Sequence, residues 1–141
     1  MKSDDEALAE ILRKLTPEVM RETVNRAGLY LVTFEILKLQ VVTETMSFFG
    51  AESDDRTNYK REVLSLAPQK SPFEGSVRWL EKVGAVSSEE GEALIVIRNH
   101  RNEIAHELPN LLLSPDHKFS YENLHRCREL TNKLARWWGS V

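Results

Sequence analysis

The segment ALIVIRNHRNEIAHELP, residues 93–109, contains the side chains of this chain that are best suited to chemistry. Arg101 carries a permanent positive charge, and its fork of N–H donors can bind two oxygens of a phosphate at once. Asn102 offers an amide, His106 offers an imidazole that can transfer protons, and Arg98 adds a second cation. A fixed cation, an amide and an imidazole are groups that can cleave a phosphodiester without a metal ion.

A helix over residues 89–108 would carry these side chains beside its apolar face. Arg101 would lie at the edge of that face, with Arg98, Asn102 and His106 in a polar strip next to it. Because Arg101 and His106 are five positions apart, about 140° around a helix, a single copy directs them apart. Two copies meeting across a twofold axis would bring both groups to one phosphate more easily. The residues predicted to form the apolar face are Leu94, Ile97, Ile104, Ala105 and Leu108.

The string RNEIAH, residues 101–106, resembles the signature of the HEPN superfamily (higher eukaryotes and prokaryotes nucleotide-binding). That signature is an arginine, a polar residue and a following histidine near the end of a helix in a bundle. The resemblance implies an all-α, single-domain, up-and-down bundle of five to six helices that forms a homodimer, with paired signatures facing a cleft. In active members it implies metal-independent RNA cleavage with the ribose 2′-hydroxyl as nucleophile. Many such proteins are toxins or act in phage defence, so an antitoxin protein is a further expected partner.

The candidate residues receive roles from this interpretation. Arg101 would hold and neutralise the scissile phosphate, His106 would transfer a proton, and Asn102 would orient one of them or bind the RNA. Arg98, on the same strip, is a candidate substrate contact. We expect no cofactor, and no metal site, because His100 and His106 are six positions apart and no CxxC pair is present.

Other interpretations of the same residues remain open. The arginine and histidine could form a structural network across helices, or a site that binds nucleic acid without cutting it. The layout of a bundle with VGAVSSEE, residues 83–90, before the signature helix is also similar to the mannitol operon repressor family. That similarity implies a non-catalytic regulatory or interaction module.

Several further side chains are assigned to structure rather than chemistry. His100 points away from the polar strip and is predicted to lie on the surface. Trp137 and Trp138 could stack on bases, but we predict that they fix the last helix to the core. Cys127 lies on the apolar face of that helix and is predicted to be a small core residue rather than a nucleophile.

Composition limits the class of protein. With 141 residues, 41% hydrophobic and 29% charged, the chain has the size and balance of one globular domain. A formal net charge of -3 argues against a broad duplex-binding face, so any RNA contact must come from a few placed cations. A single cysteine, no signal-peptide pattern and no apolar run long enough for a membrane span predict a cytoplasmic protein that does not enter membranes.

The elements that must position the strip are predicted to be helices, because period-two alternation and hairpin turns are lacking in the sequence. Ser87 or Ser88 is expected to cap the signature helix, with Glu90 or Glu92 completing a capping box. The predicted helices cover residues 6–15, 17–49, 59–66, 73–83, 89–108 and 121–138.

The second of these helices is apolar on most of its circumference. Such a helix is usually central to a core or shared with a partner subunit, so we expect the spine of the bundle, with burial in a dimer as an alternative. One row of its side chains comprises Leu29, Val32, Ile36, Leu39, Thr43 and Met46, and a second row comprises Phe34, Leu37, Val41 and Phe48.

Overall fold

A computed structural model describes residues 3–50, 56–69, 71–113 and 120–141, without the side chains of residues 111 and 112. Within these ranges every regular element is a helix and none is a strand, which confirms the predicted all-α bundle. The α-helices are α1 (Asp4–Lys14), α2 (Pro17–Lys38), α3 (Glu44–Phe48), α4 (Thr57–Glu62), α5 (Pro72–Lys82), α6 (Ser88–Leu113) and α7 (Tyr121–Ser140). A π-helical turn, Leu39–Thr43, joins α2 to α3, and a 3₁₀ turn, Leu64–Leu66, follows α4.

The core lies where α2, α6 and α7 pack against one another, with α5 packed on α6. On α6 the predicted apolar face is confirmed at Leu94, Ile97 and Ile104, which are fully buried, and Leu108 is partly buried. Ala105, predicted to belong to this face, is exposed. A small side chain at the margin of a helix face is left in solvent when no neighbouring element covers it.

Helix α6 begins with the predicted capping box. The Ser87 hydroxyl accepts from the N–H of Glu90 at 3.1 Å, and the Glu90 carboxylate accepts from the N–H of Ser87 at 2.9 Å. The prediction that this helix ends at residue 108 is wrong. The helix bends at Glu107 (φ -121, ψ 25) and then continues to Leu113. Pro109 explains both facts, because proline breaks a helix on its N-terminal side yet fits the first turn of a new one.

The two apolar rows predicted for the second helix differ in burial. Phe34, Leu37 and Val41 are buried, as expected for the spine of a bundle, whereas the first row faces outward. After Thr43, where the π-helical turn ends, the predicted rows are wrong, since Met46 packs against the core and Phe48 is 53% exposed. The π-helical turn explains this: it places extra backbone in one turn and so rotates the following residues about the axis.

Candidate functional site

Tyr30 fixes the rotation of α6 against α2. Its hydroxyl, in the core, donates to the backbone carbonyl of Ile97 at 3.0 Å, and burial raises the pKa of the phenol. Ile97 lies one helical turn before Arg101. The bond therefore fixes α6 at a register in which Arg98 and Arg101 face α2 and the start of α5.

A cleft of about 290 Å³ opens between α2, the start of α5 and α6. It brings together three of the residues singled out from the sequence, Arg98, Arg101 and Asn102, and adds the cation of Lys38. None of the lining residues is acidic, so the cleft is positively charged within a chain of net charge -3. The lining consists of Phe34, Lys38, Val42, Ser71, Pro72, Phe73, Arg98, Arg101 and Asn102.

Each of the two arginines lies against an aromatic ring. The guanidinium carbon of Arg98 is 5.6 Å from the ring centroid of Phe73, and that of Arg101 is 5.8 Å from the centroid of Phe34. Such cation–π contacts restrict the guanidinium groups and partly desolvate them. Both rings are buried, so they support the arginines from below rather than offering a face to a ligand.

The Nε atoms of Arg98 and Arg101 are buried and have no hydrogen-bond partner among the described residues. The outer nitrogens make long bonds: Arg98 to the amide of Asn99 and Arg101 to that of Asn102, both at 3.3 Å, and Arg101 also to the carboxylate of Glu35 at 3.5 Å. A buried donor without an acceptor costs about 1–3 kcal/mol. The outer guanidinium nitrogens, whose present bonds are long, are the donors that an anion with several oxygens can bind, and such an anion is the ligand class that two neighbouring arginines fit.

Glu35 is the carboxylate in contact with this site. Its Oε1 lies 3.5 Å from Nη2 of Arg101, at the long limit for an ion pair, and its side chain is 53% exposed. Pairs of this kind contribute little to stability in water. A phosphate in the cleft could therefore compete with Glu35 for Arg101 at small cost.

His106 is separated from this cleft. It is exposed on α6, directly before the bend at Glu107, and it is not among the residues that line the cleft. It makes no hydrogen bond or ion pair with any residue that the structure describes. A single chain thus assembles Arg98, Arg101 and Asn102 but leaves the imidazole elsewhere, as the angular separation along the helix indicated.

The prediction that His100 lies on the surface is wrong, since only 9% of the residue is exposed. Its Nδ1 lies 3.3 Å from the Glu103 carboxylate, and its Nε2 accepts from the backbone N–H of Ser120 at 3.3 Å. With Nε2 as an acceptor, the proton resides on Nδ1. A helical wheel of α6 alone misses this role, because Ser120 caps α7 and reaches His100 only through tertiary packing.

The structural roles predicted for the tryptophans and the cysteine are confirmed. The indole N–H of Trp138 donates to the Gln40 carbonyl at 2.8 Å, and its ring stacks on Trp79. Trp137 packs against the same ring edge to face. Cys127 is fully buried, and burial raises the pKa of its thiol to about 11, which keeps it protonated and unreactive.

Fold and site together define a helical bundle with a cationic cleft backed by aromatic rings. Comparison of the chain with protein-family models, with curated protein sequences and with solved structures finds no match. The described ranges contain no group of three His, Cys, Asp or Glu side chains placed to hold a metal ion. In the same ranges, no helix combines the length and apolar character needed to cross a bilayer.

Proposed function

We propose that this protein is a metal-independent endoribonuclease of the HEPN type that acts as a homodimer, with the cleft on α6 as its phosphate site. The observation that carries the proposal is the pair of arginines, Arg98 and Arg101, whose buried Nε donors lack acceptors on the wall of one cleft. The resemblance of residues 101–106 to the HEPN signature supplies the reaction class.

The cleft suits the backbone of RNA rather than its bases. Arg98, Arg101 and Lys38 provide positive charge for phosphate oxygens, and Asn102 provides an amide within reach of a ribose or phosphate. Phe34 and Phe73 are buried beneath the arginines and cannot stack on a base. Contacts to phosphate and sugar position a nucleic acid without reading its sequence. Binding through this cleft is thus expected to show little sequence preference.

In the proposed reaction the 2′-hydroxyl oxygen of a ribose attacks the adjacent phosphorus. A bond forms between that oxygen and phosphorus, the bond to the 5′-oxygen of the next nucleotide breaks, and the products are a 2′,3′-cyclic phosphate and a 5′-hydroxyl. The proton lost by the 2′-hydroxyl is balanced by the proton gained by the leaving oxygen. Arg101 would stabilise the negative charge on the phosphoryl oxygens, and His106 would perform one of the two proton transfers.

His106 lies outside the cleft of its own chain, so the proposal requires a second copy to supply the imidazole. In that arrangement Arg101 of one chain and His106 of the other act at the same phosphate. The exposure of His106 leaves it accessible for this role.

The decisive experiment incubates purified protein with total RNA and with tRNA in excess EDTA. The wild-type protein is expected to cut RNA and leave cyclic phosphate ends. Arg101→Ala and His106→Ala should each lower the rate by about 10²–10⁴-fold while keeping the helical circular dichroism spectrum. His125→Ala is the matched control, because His125 is an exposed histidine on α7, and it should cut normally. Wild-type rates in the His106 variant would contradict the catalytic assignment.

A second candidate is a module that binds anions or RNA without cleavage. It is favoured by the position of His106, since the cleft assembles Lys38, Arg98, Arg101 and Asn102 without any imidazole. In that case Arg101→Ala abolishes RNA binding, His106→Ala leaves binding unchanged, and the wild-type protein produces no cyclic phosphate ends.

A further inference from the structure

An uncovered row of side chains runs along α2 and the π-helical turn. Its apolar members are exposed by 55% at Leu29, 60% at Val32, 48% at Ile36 and 53% at Leu39. Many exposed apolar residues on proteins are scattered singly, but these four are continuous on one face. With the exposed polar residues at either end, the row, here called the seam, comprises Asn25, Leu29, Val32, Ile36, Leu39 and Thr43.

The spacing of the seam indicates what covers it. Its positions alternate by four and three residues, which is the a/d pattern of a heptad repeat. A heptad row packs against another helix that presents the same pattern, with side chains inserting between those of the partner. None of the seam residues is charged, so an identical row can approach it without like charges meeting.

The order of residues in the seam also indicates the direction of the partner helix. The order of polar and apolar residues along the seam is the same in both directions: one polar residue, four apolar residues and one polar residue. A twofold axis between Val32 and Ile36 would pair the polar ends with each other and the apolar centres with each other. The pairs would be Asn25 with Thr43, Leu29 with Leu39, and Val32 with Ile36. This is the self-complementarity that an isologous contact requires.

We propose that the seam is the homodimer interface of this protein, in which α2 of a second copy packs antiparallel across it about an axis that passes between Val32 and Ile36. The partner at this surface is the second copy that the proposed ribonuclease needs. Only the link between the interface and catalysis rests on the proposed function. The contact itself rests on the exposure, spacing and symmetry of the seam.

The seam lies next to the positively charged cleft. A groove of about 360 Å³ along the seam is lined by Val32, Glu35, Ile36 and Leu39 and also by Arg101. Arg101 therefore lies between the cleft on one side and the seam on the other. Because Glu35 and Ile36 lie next to the proposed axis, the dimer would place the two Arg101 side chains near that axis. A single crevice could then receive groups from both chains.

The first test measures the mass of the full-length protein by sedimentation equilibrium over a range of concentrations. The wild type should be a dimer, and Val32→Glu and Ile36→Glu should each weaken association at least tenfold while retaining the wild-type circular dichroism spectrum. Val96→Glu is the matched control: Val96 is 51% exposed on α6, outside the seam, and this variant should remain a dimer. A monomeric wild type, or a dimer insensitive to both seam variants, would overturn the interface.

The second test examines direction by disulfide formation. In the antiparallel register Leu29→Cys/Leu39→Cys should form a covalent dimer on mild oxidation. Each single cysteine should fail, because equivalent positions lie about 15 Å apart along the axis, beyond the roughly 7 Å between Cα atoms that a disulfide can span. The native Cys127 is buried and does not compete. Cross-linking of Leu29→Cys alone would contradict the antiparallel register.

These outcomes are separate from the fate of the ribonuclease proposal. A dimer that dissociates on Val32→Glu but never cuts RNA establishes the interface and rejects the catalytic role. RNA cleavage by a dimer that is insensitive to both seam variants would reject the interface and leave the proposed ribonuclease. RNA cleavage by a monomeric wild type would reject both the interface and the supply of His106 by a second copy.

Discussion

Glu35 of α2 and Arg101 of α6 form an ion pair, 3.5 Å between Oε1 and Nη2, at the boundary between the cleft and the seam. The pair is long, and half of the glutamate side chain is in solvent. Arg101 also lies over Phe34, 5.8 Å from the ring centroid, and this contact does not depend on Glu35. Glu35 is thus a replaceable acceptor on a cation whose position is set by other contacts.

We predict that Glu35→Gln tightens RNA binding, because the neutral amide no longer competes with phosphate for Arg101. An exposed pair is worth up to about 1 kcal/mol, so the gain should be at most about fivefold. Fluorescence anisotropy with a labelled single-stranded RNA at fixed salt measures it. Glu22→Gln is the control, since Glu22 forms an exposed pair with Arg26 on the same helix. Weaker binding by the Glu35 variant would mean that Glu35 does not compete with the ligand.

Arg98→Gln should weaken RNA binding equally for RNAs of different sequence, because a phosphate contact carries no information about bases. Loss of one such contact should also lower the slope of log K against log salt by about 0.7 for single-stranded RNA. The measurement is a titration series at several salt concentrations. Arg128→Gln removes an exposed cation from α7 and should leave the slope unchanged. A variant that discriminated between sequences would place Arg98 at a base rather than at a phosphate.

The sequence was sufficient to predict the parts of the site that belong to one helix. Arg98, Arg101 and Asn102 lie beside the apolar face of α6 because helical periodicity alone orders them that way. Lys38, Phe34 and their neighbours in the cleft were missed. They come from α2 and from the start of α5, and only tertiary packing brings them to α6.

Two features of the fold were also beyond sequence reasoning. The π-helical turn at Leu39–Thr43 is not marked by glycine or proline, so nothing in the sequence indicates that the rows of α2 rotate there. The burial of His100 depends on the start of α7, which follows it by some twenty residues. Periodicity describes each helix separately, whereas these features depend on contacts between helices.

Trp138→Phe should destabilise the protein by about 1–3 kcal/mol, because it removes the donor that satisfies a backbone carbonyl at the π-helical turn. The N–H of Glu44 donates to Leu39, five residues back, instead of to Gln40, and the Gln40 carbonyl accepts from Trp138 at 2.8 Å. Urea unfolding at one protein concentration measures the change. Trp137→Phe removes a neighbouring indole whose N–H bonds to none of the residues that the structure describes, and it should cost less. Equal losses in the two variants would point to ring packing rather than to the carbonyl.

Glu90→Gln should lower stability at neutral pH, with an effect that fades in acid. Burial of Glu90 opposes its ionisation, but the bonds from Lys133, at 2.6 and 2.8 Å, and from the N–H of Ser87 outweigh this and lower the pKa of the carboxyl below the ordinary 4.5. A lowered pKa in the folded state means that the stabilisation is complete above the ordinary value and is lost as pH falls through the folded value.

The difference in unfolding free energy between wild type and Glu90→Gln should therefore be up to about 1 kcal/mol at pH 7, because glutamine can still accept from the Ser87 N–H but no longer forms an ion pair with Lys133. It should shrink progressively below pH about 4.5 as the wild-type carboxylate takes up its proton. Urea unfolding at a series of pH values follows this convergence. Glu89→Gln is the control, because Glu89 is 83% exposed and should change stability little at any pH. If the difference in unfolding free energy stayed constant at acid pH, the side chain at position 90 would act through its shape and not through its charge.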